Sequence, residues 1–165
     1  MVFPVVRDLL VWRGHWQMAT TIETIFSLCS GLAMVGWLGL VFLPKSPLAR
    51  DLLPSVIIPV LLGVTYAYLM FSFRGEAPAE GGFGTLAEVQ ALFSVDALLL
   101  AGWIHYLAFD LFVGAWIVRD SQSHDLRHLL VIPCLFFTLM TGPFGLLIYL
   151  LLKLISGKPL SPKTG

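Results

Sequence analysis

The sequence predicts an all-α, polytopic membrane protein: four transmembrane helices in an antiparallel bundle, the fourth broken by a proline. Three observations carry this. Of 165 residues, 58% are hydrophobic and only 12% charged, with a mean hydropathy of +0.88, outside the range of water-soluble domains. The apolar residues fall into runs long enough to cross a bilayer. Prolines and polar clusters separate the runs. Ten Lys/Arg balance ten Asp/Glu along the chain, so nucleic acid, which needs a basic footprint, is excluded as a partner; the lipid bilayer is the partner expected. Cys29 and Cys134 lie within apolar runs and belong to no CxxC.

Residues 1–17 are an N-terminal extension or an interfacial segment resting on Trp12 and Trp16. Thr20-Thr-Ile-Glu23 has the form of a capping box that opens a helix, which would suit a natural start at Met18. The membrane domain is expected over 18–156. Ile22–Leu43, about 33 Å long as a helix, is span one. Its Ser27, Ser30, Gly31, Gly36 and Gly39 suit close helix packing. Pro44 and Pro47 end it. Leu53–Phe73 is span two, with Tyr66, Tyr68 and Arg74 toward its far boundary. A water-exposed loop follows, and Thr85-Leu-Ala-Glu88 is a second capping box that starts a helix at Leu86. Leu86–Arg119 would be about 51 Å long if straight, more than a bilayer of about 30 Å, so a bend is expected near Ser94.

Span three covers about 95–118 and span four about 129–155. Pro143 removes one backbone donor in mid-membrane and strands the carbonyl of Leu139, a break that survives only where protein or water satisfies it. Residues 157–165 form a polar tail. With four spans, the N-terminus, the loop after span two and the C-terminal end from Lys153 onward hold two, one and three Lys/Arg against four on the other face, which places both termini inside.

Span three carries the chemistry. Placing a charge at the bilayer centre costs about 2.5 to 3.5 kcal/mol or more, so an ionisable residue there asks for a function. His105 and Asp110 lie about 15 Å and 22 Å beyond Val95, beneath the surface. They are about 140° apart around the helix and cannot pair along one face. Folding span four back sets 142 opposite 105 and 137 opposite 110. The expected result is a polar pocket walled by His105, Asp110, Thr138 and Thr141, with Trp103 nearby; hydrogen bonding between spans, without chemistry, is the competing account. At the membrane edge, Asp120, His124 and His128 have a spacing a transition metal accepts if helical, but it is equally the pattern of a solvated turn, and no metal is assigned. Phosphate-binding loops and nucleophile elbows are absent.

Trp103-Ile-His105, Asp110-Leu-Phe112, Asp120, Arg127-His128, Pro133-Cys134-Leu135 and Gly142-Pro-Phe-Gly145 together resemble the abscisic-acid-deficient-four-like family, whose plant members are plastid membrane proteins required for neoxanthin formation. The likeness runs from about Met18 to Lys153. It implies that His105, Asp110, Asp120, Arg127 and His128 are functional residues and that the substrate is an epoxy-carotenoid, isomerised without a cofactor. On that analogy Asp110 is the acid, His105 the base, and Trp103 and Phe109 stack on the polyene, with Thr138 and Thr141 lining the substrate site. The rival expectation is a non-catalytic membrane protein that binds carotenoid or packs against a membrane complex. The chain shows no plastid transit peptide, so a multi-pass protein of a bacterial inner membrane is expected, and so thin a bundle suits a homo-oligomer.

Overall fold

A computed structural model describes residues 4–160, with side chains described from Met18 onward apart from Ala19. The helices are α1 (Pro4–Phe42), a π-helical opening Leu48–Ile57 that runs into α2 (Ile58–Phe73), α3 (Leu86–Leu92), α4 (Asp96–Ser123), α5 (His128–Thr141) and α6 (Pro143–Ile155). Among the described residues there is no strand. Among the described residues, three helices are long and apolar enough to cross a membrane: Thr20–Phe42, Leu48–Glu76 and Asp96–Ser123.

The capping patterns have different outcomes. At Thr85 the cap forms: its hydroxyl accepts from the Glu88 amide at 3.2 Å, while Glu88 reaches back one residue beyond the cap, to the Gly84 amide at 2.9 Å. α3 therefore starts at Leu86, and the chain turns through Phe93–Val95 before α4, the bend that the length of the run required. At Thr20 no helix opens, because α1 is already running from Pro4. Thr20 instead lends its carbonyl to the Thr24 hydroxyl at 2.7 Å. Trp12 and Trp16 lie outside the residues whose side chains are described.

α4 is central, packed against α1, α2 and α5. Small residues make the α1 contact close: a methyl on Gly36 would meet Leu111, and one on Gly114 would meet the Trp37 ring. The buried core is built from Trp37, Leu40, Leu62, Ile104, Leu111 and Leu135 with their neighbours.

The fourth stretch corrects the four-span bundle. α5 and α6 hold 14 and 13 residues, about 21 Å and 20 Å by the helical rise, each too short for a bilayer of about 30 Å. They fold back on each other instead of continuing through a kink. Thr138 faces Gly145, where a methyl would collide with the Thr138 backbone and hydroxyl. Tyr149 and Lys153 return to Asp120, at the end of α4 from which α5 departs. The cause is local. Pro143 has no amide hydrogen, and its ring bars the preceding residue from helical geometry. Gly142, at φ +57° and ψ −104°, takes a positive φ open to a residue without a side chain, and the chain reverses. The result is a helical hairpin with its tip at Gly142.

The hairpin moves residues 153–160 to the face where α1 ends. Lys45, Arg50, Arg119, Arg127, Lys153 and Lys158 now share that face, with Arg74 on the other. Both termini on one face, the expectation from four spans, is replaced by opposite faces for the start of the first apolar run and the end of α6.

Candidate functional site

Asp110 and Tyr106 lie one turn apart on the side of α4 that meets the hairpin tip. Pro143 does strand the Leu139 carbonyl, and the Tyr106 hydroxyl satisfies it at 2.7 Å. Asp110 is half-buried beneath Gly142: a methyl on that glycine would come within 3.0 Å of Oδ1 and 3.1 Å of Oδ2. Oδ2 is buried with no hydrogen-bond partner. An unpartnered carboxylate oxygen at that depth is costly.

Trp103 extends this face. Its ring lies 5.3 Å from Tyr106 and 5.8 Å from Phe26, and its indole N–H donates to Ser30 at 3.1 Å. Beside it, between α1 and α4, is a cavity of about 370 Å³ lined by Phe26, Leu99, Leu100 and Trp103, with Glu23 and Asp96 among its walls.

His105 is elsewhere. Its exposed side chain faces α2, with ring centroids 4.5 Å from Phe109 and 5.9 Å from Tyr66. It lines an apolar groove of about 430 Å³ with Pro59, Gly63, Tyr66, Ala108 and Phe109. The pocket expected from His105, Asp110, Thr138 and Thr141 is thus not assembled. The hairpin tip sets Gly142 against Asp110, not against His105. Thr138 is fully buried and donates to Cys134 O at 2.8 Å. Thr141 is exposed and donates to Phe137 O at 2.8 Å. Both hydroxyls are spent on their own helix.

The membrane-edge residues form a second centre, and it is not a solvated turn. Asp120 is 6% exposed, His124 1%, Tyr149 and Lys153 0%. Lys153 Nζ donates to Asp120 Oδ2 at 2.7 Å, and the Tyr149 hydroxyl donates to the same oxygen. His124 Nδ1 lies 2.8 Å from the Asp120 carbonyl and 3.6 Å from Oδ1. That carbonyl can only accept, so Nδ1 carries a hydrogen toward it; the buried Nε2 has no partner. His128 turns away, Nε2 to Val41 O at 3.0 Å, tying α5 to the end of α1; Arg127 is exposed. Among the described residues no three His, Cys, Asp or Glu side chains gather as metal ligands. Tyr106, Tyr149 and Lys153 were missed from sequence. Lys153 is legible as a charge within the last apolar run, but at the end of a fourth span a lysine lies at the membrane edge and needs no buried partner.

A chloroplast protein of Arabidopsis thaliana, "Protein ABA DEFICIENT 4, chloroplastic", is 24% identical over 152 residues, covering 87% of this chain and 67% of its own. Its name gives no support to the bacterial inner membrane expected from sequence. No solved structure matches. The sequence model of the ABA DEFICIENT 4-like family matches residues 24–149, about three quarters of the chain, and the chain therefore belongs to the ABA DEFICIENT 4-like family.

Proposed function

We propose that the chain is a membrane-embedded isomerase of epoxy-carotenoids, working by acid/base chemistry at Asp110 and Tyr106. One observation carries this: a carboxylate oxygen without a partner, deep in α4, beside a phenol and under the tip of a helical hairpin. Opening an epoxide to an allenic alcohol moves one proton from a polyene carbon to the epoxide oxygen. No atom is gained or lost, so neither oxidant nor reductant is needed. In this reading the Tyr106 hydroxyl gives its proton to the oxygen as the C–O bond breaks. Asp110 takes the proton from the adjacent carbon and then returns it to Tyr106. The pairing of Asp110 with His105 implied by the family resemblance requires both groups at one reacting centre. His105 faces the α2 groove, away from Asp110, so in this reading it does not act as the base. Trp103, whose ring lies tilted beside Tyr106, and Phe109, beside His105, remain the aromatic surfaces for the polyene.

The test is product formation in a host supplied with an epoxy-carotenoid. Asp110→Asn and Tyr106→Phe are expected to lower turnover by about a hundredfold or more, as loss of an acid/base group does, while His105→Ala retains most of it. Undiminished product in Asp110→Asn would remove the proposal.

The groove between α2 and α4 favours a second reading, a carotenoid binder without chemistry. Its wall is apolar, and a smaller groove lined by Met70, Phe83 and Leu98 continues it past the same Tyr66 and His105. Purified protein carrying bound but unaltered pigment would support that reading over the first.

A further inference from the structure

α6 presents one buried stripe, Gly145, Tyr149 and Lys153, spaced four residues apart so that it falls on one side of the helix. Gly145 closes the hairpin on Thr138. The other two residues end on one oxygen of Asp120. At the tip, by contrast, the described attachment to α4 is the single bond from Tyr106 to Leu139 O.

We infer that Asp120, Tyr149 and Lys153 are positioning residues: a buried ionic latch at the membrane edge that docks the hairpin on α4 and thereby holds its tip over Asp110. A buried ion pair is a poor source of net stability, but removing one partner leaves the other charge buried and uncompensated. Such a device therefore fixes a geometry more than it strengthens a fold. Asp120 is the hub. It is about 15 Å along α4 from Asp110, too far to touch anything reacting there, and it acts through the rigid hairpin. His124 Nδ1, close to the same carboxylate, adds polarity without replacing either donor. The functional consequence rests on the reading above; the docking itself does not.

Cys134 reports docking without reference to activity. It is 1% exposed on α5, and with Cys29→Ala as background it is the one thiol left in the full-length chain. In that background, N-ethylmaleimide is expected to label it slowly. Asp120→Asn or Lys153→Met should speed labelling by about a hundredfold, as the loss of one partner of a buried pair lets the hairpin open. The exchanged pair Asp120→Lys with Lys153→Asp should recover most of the protection. Tyr149→Phe removes one hydroxyl and should give a smaller rise, about tenfold, and it decides the matter if the charge variants do not fold. Labelling unchanged across the variants that fold overturns the latch. In Lys153→Met, carotenoid turnover should fall while the amount of pigment retained stays at the parental level, a split that general destabilisation would not give. If the latch variants expose Cys134 while Asp110→Asn leaves product formation intact, the latch stands and the proposed chemistry falls. The reverse pattern removes the latch alone.

Discussion

Asp110 sits so close beneath Gly142 that a single methyl on the glycine would press on both carboxylate oxygens, at 3.0 and 3.1 Å. The same glycine turns the chain at φ +57°. One residue therefore both reverses the hairpin and leaves room for the carboxyl, and Gly142→Ala is penalised twice. Its expected cost is about 1 to 3 kcal/mol from backbone strain, read as a lowered thermal midpoint in detergent.

Gly145 should be less forgiving. A methyl there meets the Thr138 backbone nitrogen and hydroxyl, and backbone cannot swing aside. Gly145→Ala should destabilise by about 2 kcal/mol or more, in the upper range for overpacking. Gly31 and Gly63 are the controls, since nothing lies within 4 Å of a methyl at either. Alanine there should be neutral or stabilising by up to about 1 kcal/mol through helix propensity. Equal losses at all three positions would contradict the close approach of α6 to α5.

Sidedness separates a re-entrant hairpin from a kinked span. A continuous fourth span would return the tail to the face of the Arg74–Phe93 loop; the hairpin leaves it on the opposite face. Cysteines placed singly at Gly75 and Lys158 should therefore label with an impermeant maleimide from opposite sides of sealed vesicles. Labelling from the same side would restore the four-span bundle. The positive-inside rule, with Lys45, Arg50, Arg119, Arg127, Lys153 and Lys158 on one face, assigns Lys158 to the cytoplasm-equivalent side.

His128→Ala removes the side-chain bond from the start of α5 to Val41 O. The expected loss is about 1 kcal/mol, typical of one hydrogen bond, measured by thermal unfolding. A loss of metal-dependent stability in its place would point to a ligand role instead.

The sequence by itself determined the class, three of the long helices and the α3 start at Leu86 behind the Thr85 cap. Each follows from local composition, a capping pattern or the fixed rise of a helix. It also located the break at Pro143 and the carbonyl that break would strand. Tertiary structure alone decided what followed. A proline after a glycine permits either a kink or a reversal, and packing chooses between them: Gly145 fits against Thr138, and Tyr149 and Lys153 find Asp120. That choice moved Gly142 from the level of His105 to Asp110, separated the imidazole from the carboxyl, and buried a lysine whose partner lies 33 positions earlier. Contacts of that separation leave no local pattern, because nothing near Lys153 in sequence needs Asp120 until the chain has turned back.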